Sequence, residues 1–138
     1  MRMIFVNLPV KDTEASKHFF AALGFEHNPQ FSDETTTCVV IDENIYAMLM
    51  NEDRFKTFIN GEIADASTTE VLNALSCDSR EEVDDLRAKA LANGGSEWKP
   101  SFDQGPMYGG SFRDPDGHVW ELAYMDMAGL AELEGEMP

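Results

Sequence analysis

Residues 114–122 read Asp-Pro-Asp-Gly-His-Val-Trp-Glu-Leu, a tight turn followed by the start of a strand. Proline presets one backbone angle of such a turn, aspartate bonds back to the chain, and glycine accepts a positive φ. The sequence on both sides is rich in strand-forming residues. It therefore predicts a hairpin of two strands, Met107 to Phe112 and His118 to Met125.

Upstream of this hairpin, the sequence predicts a strand, a helix and a further strand. The first strand is Thr69 to Cys77, and the helix runs from Arg80 to Asn93, with a cap at Asp78 or Ser79 and a stop at the following glycine pair. The further strand is Glu97 to Phe102. The second half of the chain thus has the predicted order βαβββ.

The first half of the chain shows the same order. The predicted elements are a strand from Met3 to Val10, a helix from Thr13 to Leu23 capped by Asp12 or Thr13, and strands at Phe25 to Phe31, Thr35 to Ile41 and Ile45 to Met50. Pro9 indicates an edge strand or the end of a strand, because proline cannot donate a ladder hydrogen bond. The two halves align at an offset of about 67 residues.

A pattern repeat of this kind favours two modules that pack as one domain. We expect a single domain over 1–127, with modules at 1–50 and 69–127, a linker at 51–68 and an acidic C-terminal tail at 128–138.

Composition excludes several classes of partner. The chain has 26 acidic against 10 basic residues and a net charge of -16, which disfavours nucleic acid and anionic membranes. No apolar run approaches the roughly 20 residues that span a bilayer, and the N-terminus shows no cleavage signal. Cys38 and Cys77 form no CxxC pair and are expected to be reduced and buried. We expect a cytoplasmic protein.

Three stretches together resemble the vicinal oxygen chelate superfamily, which includes glyoxalases, bleomycin-resistance proteins and extradiol dioxygenases. They are 6–12 with 19–25, 107–113, and 114–122. The resemblance implies an α+β fold, with a helix outside each sheet and the curved sheets forming a cup. It also implies a homodimer.

The metal ligands of this superfamily are mostly absent here. Its metal-dependent members place His, Gln or Glu at four strand positions, and the resemblance aligns these with Phe5, Leu72, one of Tyr46, Met48 and Met50, and Glu121. Only Glu121 carries a suitable oxygen, whereas a catalytic zinc site normally has three protein ligands. We therefore expect no metal and no other cofactor.

Glu121 is the candidate catalytic residue. Strand alternation places it opposite the Trp120 side, so it points into the cup and could serve as a general base that removes a proton next to a carbonyl. The alternative is a carboxylate that only bonds within the sheet. Asn7 could bind a ligand oxygen or bridge backbone groups, and Tyr108 could donate from the rim or only pack there.

Apolar residues are expected to line the cup: Phe5, Met48, Met50, Leu72 and Met107. They could bind a ligand or could fill the cup themselves. The three histidines, His18, His27 and His118, lack metal-ligand spacing and are interpreted as structural or exposed.

The leading functional hypothesis is a metal-independent, glyoxalase-like protein that binds a small organic molecule beside Glu121, and that could act as a lyase or isomerase. The alternative is a non-catalytic protein that sequesters a drug or metabolite, in which case the acidic surface would attract a cation. A third hypothesis is metal-dependent lyase activity with Asn7 and Glu121 as unconventional ligands.

Overall fold

The structure is a computed structural model that describes residues 1–126 and residue 128. The chain divides into two compact units, one from Met1 to Thr68 and one that begins at Thr69. The predicted packing of both modules as a single domain over 1–127 stays a prediction. Of the predicted tail at 128–138, all but Ala128 lies outside the described residues.

The first unit contains a four-stranded mixed sheet. Its elements are β1 (Ile4–Val10), α1 (Thr13–Ala22), β2 (Glu26–His27), β3 (Thr36–Asp42), β4 (Ile45–Asn51) and α2 (Glu52–Lys56). The strand order is β1-β4-β3-β2, with β1 parallel to β4 and the other pairs antiparallel. Pro9 lies on an edge strand, as its missing N–H predicts.

Helix α1 begins at Asp12, whose carboxylate accepts hydrogen bonds from the backbone N–H groups of Glu14 and Ala15 at 3.0 and 3.2 Å. It buries Phe19 and Phe20. Thr13 and Ser16 are buried on the same helix, whereas Ala15 is exposed.

The strand predicted at Phe25 to Phe31 is wrong over most of its length. Strand β2 has two residues, and a 3-10 helix follows at Pro29–Phe31. Pro29 lacks the N–H that a ladder needs, and the Asn28 side chain accepts a hydrogen bond from the Gln30 backbone at 2.9 Å. Local capping therefore replaces strand pairing.

The second unit repeats the architecture of the first. Its elements are β5 (Leu72–Ser76), α3 (Arg80–Ala92), β6 (Phe102–Gln104), β7 (Met107–Arg113) and β8 (Val119–Met125). The strand order is β5-β8-β7-β6, with β5 parallel to β8. The predicted α+β class with two βαβββ modules is confirmed.

The strand predicted at Glu97 to Phe102 is also corrected. Ser96 forms one bridge to Arg113, and β6 begins only at Phe102. Between Ser96 and Phe102, the Lys99 backbone N–H donates to Ser111 Oγ at 3.3 Å. A side chain of β7, rather than strand pairing, therefore binds this segment. Pro100 contributes no N–H to a ladder in this segment.

The turn that joins β7 to β8 is organised by a buried carboxylate. Asp114 is 3% exposed and accepts hydrogen bonds from the backbone N–H groups of Asp116 and His118 and from the Trp120 indole, at 2.9, 3.0 and 3.1 Å. Burial raises the pKa of Asp114, and the positive charge of His118 and these hydrogen bonds oppose the rise. Asp114 therefore links the turn to the buried Trp120 side chain.

In the part of the chain that the structure describes, no helix combines the length and the apolar character needed to cross a bilayer.

Candidate functional site

The second sheet presents one face to α3 and the other away from it. Trp120 and Leu122 are buried on the α3 side, where a Cβ built at Gly110, the partner of Leu122, would meet Val83 at 3.3 Å. Glu121 alternates with these residues and therefore points away from α3. This is the orientation that strand alternation predicts.

Small residues surround Glu121 on this face. It lies directly opposite Ser111 on β7 and level with Ala74 on β5, and the next pair along the strands is Ala123 with Gly109. None of these side chains is long enough to cover the carboxylate. The sheet therefore leaves space beside Glu121 for another group.

Glu121 is partly buried. Within the described residues, its carboxylate makes no hydrogen bond and no ion pair. A carboxylate in this position is costly unless something else supplies donors, since a partly desolvated charge seeks a partner. This absence of partners disfavours the alternative in which Glu121 only bonds within the sheet.

Arg113 shares this face, because it alternates with Phe112 and lies two residues from Ser111. Its guanidinium carbon is 4.7 Å from the centre of the Trp98 ring. The Nε atom of Arg113 is buried and has no hydrogen-bond partner in the described structure. Arg113 and Trp98 are not predicted as site residues from the sequence. Arg113 could have been found from the alternation of side chains along β7, which places it on the same face as Ser111 and Glu121.

Tyr108, which the sequence predicts to donate from the rim or only to pack there, lies on the face opposite Glu121. Tyr108 pairs with Tyr124 and lies on the α3 side, where its hydroxyl donates to Asp84 at 2.6 Å and its ring lies 5.0 Å from the Arg80 guanidinium carbon. The hydrogen bond to Asp84 raises the pKa of Tyr108. Consecutive strand residues face opposite ways, so Met107 and Tyr108 cannot both share the face of Glu121.

Leu72 and Met107 do share that face. Leu72 begins β5, lies opposite Val119 at the start of β8, and is 52% exposed. Met107 begins β7, lies opposite Met125 at the end of β8, and is 37% exposed. Phe102 lies across Gly109, because a Cβ built at Gly109 would overlap its ring. The face is thus apolar at its ends and polar at its centre.

The remaining predicted residues form one face of the first sheet. In β1, Phe5 and Asn7 lie on the side opposite the buried Leu8 and Val10. In β4, the neighbouring Met48 and Met50 lie on the side opposite the buried Ala47 and Leu49. Phe5 stacks on Tyr46 with 5.2 Å between ring centres, and the Asn7 side chain donates to the Phe5 carbonyl at 3.1 Å. Asn7 is therefore engaged with its own strand, and Met50 is buried.

The histidines are placed as structural or exposed residues. His18 and His27 are exposed and line a surface cleft of about 460 Å³ between α1 and β2. His118 is buried, and its Nδ1 lies 3.0 Å from Glu70 Oε1.

The donor atoms at the superfamily's metal positions do not fit a divalent ion. Phe5 and Leu72 have hydrocarbon side chains, and Met48 and Met50 offer only thioethers, which suit soft ions. Nor do the described residues contain a group of three His, Cys, Asp or Glu side chains arranged to hold a metal ion.

Comparison with known families and structures adds two findings. Residues 2–42 match the family described as bleomycin resistance protein-like, N-terminal. A search of curated protein sequences found no match.

Several solved structures share the fold. The hypothetical protein SA1046 from S. aureus is 28% identical with a TM-score of 0.77, and the match covers 90% of this chain and 94% of that one. A glyoxalase/bleomycin resistance protein/dioxygenase family enzyme from Burkholderia phytofirmans is 17% identical with a TM-score of 0.75, covering 91% and 99%. The fosfomycin resistance protein FosX from Listeria monocytogenes is 23% identical with a TM-score of 0.66, covering 90% and 93%.

Proposed function

We propose that this chain binds a small organic molecule beside Glu121. Its fold is that of the vicinal oxygen chelate superfamily, and its N-terminal segment is of the bleomycin-resistance type. The observation that carries this proposal is Glu121, a partly buried residue whose carboxylate has no partner among the described residues. Small neighbours leave room for a ligand at that carboxylate.

The same carboxylate supports a chemical role. A carboxylate that is partly shielded from water and not held by an internal donor is free to accept a proton from a bound molecule. We propose that Glu121 acts as a general base toward a C–H or O–H group next to a carbonyl. This is the proton transfer expected of a lyase or isomerase.

We further propose that the reaction or binding proceeds without the superfamily's divalent metal. Three of its four metal positions hold side chains that lack hard donors, so a Lewis acid cannot be held there by the usual ligands. The polarising groups must then come from this chain's own residues, and the sheet face offers Arg113 near Glu121.

The test is a protein-observed NMR titration with a mixed set of small neutral, anionic and cationic compounds. We expect at least one compound to shift the backbone signals of Glu121, Ser111 and Ala74, and Glu121→Ala to change its affinity. Glu97→Ala is the control, because Glu97 is exposed and outside this face. Compounds that shift signals elsewhere but never at these three residues would contradict the proposal.

A second function is favoured by the family match and by the net charge of -16: sequestration of a cationic compound without chemistry. In that case binding weakens steeply as salt is added, since screening removes the attraction of the acidic surface. The ligand would also be recovered unchanged after long incubation. Conversion of a bound compound by the native chain but not by Glu121→Gln would decide for the enzyme.

A further inference from the structure

The Arg113 side chain lacks the hydrogen-bond and ion-pair partners that an arginine normally has. A guanidinium has five N–H donors, and unpaired buried donors are costly. Within residues 1–126, the Arg113 side chain donates no hydrogen bond and forms no ion pair, and its Nε is buried. The chain has 26 acidic residues, yet none that the structure describes pairs with Arg113.

The ring against which Arg113 stacks is fixed in place from both sides. Before Trp98, Ser96 exchanges two backbone hydrogen bonds with Arg113, at 3.0 and 2.8 Å. After Trp98, the Lys99 backbone is bonded to Ser111 Oγ. Trp98 is therefore anchored to β7 at the same two residues that flank the site.

A second cation reaches the same ring. Lys99 Nζ lies 5.7 Å from the centre of the Trp98 ring, and no described acidic side chain pairs with Lys99. Two cations thus share one indole, whose face attracts positive charge. In a chain of net charge -16 this is a local positive site.

The distance from this positive site to Glu121 suits a small ligand. Arg113 pairs with Val119 and Glu121 pairs with Ser111, so Arg113 and Glu121 occupy diagonal positions on adjacent strands. The backbone positions of such diagonal neighbours are about 7–8 Å apart, and both side chains project from the same face. A molecule a few carbon atoms long can reach both groups.

We propose that Arg113, supported by Trp98 and Lys99, binds the carboxylate of a small organic acid whose remaining atoms extend along β7 toward Glu121. This inference rests on the proposed function, and it assigns the ligand's charge and orientation. Guanidinium recognises a carboxylate through two parallel hydrogen bonds, which fixes the ligand's direction as well as its place. Glu121 then faces the carbon chain rather than the anionic end, where like charges would repel.

The experiment compares phenylacetate with phenylacetamide, which has the same shape and no charge. Indole N–H signals are followed by NMR, because the chain has two tryptophans and only Trp98 lies at the proposed site. Trp120 is buried and donates to Asp114, so its unchanged signal shows that the second unit remains folded. We expect phenylacetate to shift the Trp98 signal and phenylacetamide to leave it in place.

Variants separate the charge from the fold. Arg113→Gln should weaken phenylacetate binding by at least about tenfold, since it removes a charge-assisted hydrogen-bond pair. Arg113→Lys keeps the charge without the paired donors and should give an intermediate loss. Arg80→Gln is the matched control, because Arg80 lies on the α3 side and pairs with Asp103 at 2.8 Å.

Four results would overturn the inference. Equal shifts by phenylacetamide, or full binding by Arg113→Gln, would show that the charge is not recognised, while the proposed binding beside Glu121 would stand. Binding of inorganic phosphate at equal affinity would mean that the site takes a free oxyanion rather than an organic acid. If no compound moves the signals of Trp98 or Glu121, the proposed function fails together with the inference.

Discussion

Single residues show where strand alternation was sufficient and where it was not. The orientation of Glu121 follows from the buried Trp120 and Leu122 on either side of it. The same rule, applied strictly, excludes Tyr108 from the face of Met107. Arg113 was missed because an arginine next to a turn is ordinarily a solvated residue, and its stacking on Trp98 depends on the Ser96 bridge, which no local pattern indicates.

The two cysteines are buried and free, as the sequence predicts. Burial raises the pKa of Cys77 to about 12, with the Glu82 charge adding to the effect, and burial also raises the pKa of Cys38. Because the thiolate is the reactive form, we expect neither thiol to react with a disulfide reagent at pH about 8 in the native state. Thiol titration before and after addition of denaturant checks this; rapid reaction of folded protein would contradict it.

Asp114 should be a major contributor to stability. Asp114→Ala leaves two backbone N–H groups and the Trp120 indole without their acceptor, so we expect the free energy of unfolding to fall by about 3 kcal/mol. Urea denaturation measures the change. Asp78→Ala, in the exposed segment before α3, serves as the control and should change stability little.

The pH dependence of this effect has a defined sign. Burial raises the pKa of Asp114 in the folded state above its unfolded value, so the folded state binds the proton more tightly. Its contribution to stability is complete below the unfolded pKa and is lost as pH rises through the folded pKa. The stability of native protein relative to Asp114→Asn should therefore decrease as the pH rises above about 4 and through the folded pKa; an increase would contradict the assignment.

At the scale of elements, helices α1 and α3 and the two hairpins were predicted closely, since caps, glycines and turn residues mark their ends. Helix α3, for example, was predicted at Arg80 to Asn93 and is observed at Arg80–Ala92. The short helix α2 lies in the segment predicted as a linker. The short edge strands β2 and β6 were not predicted closely. Strands β2 and β6 have two and three residues, too few for a pattern, and their ends depend on proline and on contacts with β3 and β7.

The junction between α3 and β7 requires a residue without a side chain. A Cβ built at Gly95 would lie 2.7 Å from both the Ala90 and the Arg113 carbonyl oxygens, and backbone atoms cannot swing aside. We expect Gly95→Ala to lower the free energy of unfolding by about 2–3 kcal/mol.

The neighbouring glycine provides the matched control for that substitution. Gly94 has a φ of +105° but no close contact, so Gly94→Ala should cost only about 1 kcal/mol. Parallel denaturation of both variants makes the comparison. An equal or smaller loss for Gly95→Ala would show that the junction can open to admit a methyl group.

For the whole molecule, the repeated strand order of the two units confirms what the repeat in the sequence indicates. Function is less accessible from sequence, because the surroundings of Glu121 depend on which residues of β5 and β7 lie opposite it. That register is set by the whole sheet and not by β8 alone. The small residues Ala74 and Ser111 became meaningful only once they were placed beside the carboxylate.

We propose that the chain is a homodimer in solution. Each sheet has two edge strands, and the edge strands β1 and β5 carry the exposed apolar residues Ile4 and Leu72. Exposed edges of this kind favour pairing with a second copy. Light scattering after gel filtration should give twice the mass of one chain, and Leu72→Lys or Ile4→Lys should lower it. A monomer at all concentrations would contradict the proposal.

The central claim is that the chain binds a small organic molecule without the superfamily's divalent metal. Native mass spectrometry of the protein purified without added ions, combined with elemental analysis, tests this most directly. The account predicts chains free of stoichiometric transition metal, with an organic adduct that is lost in Glu121→Ala. About one metal ion per chain would contradict it and would restore a metal-dependent mechanism.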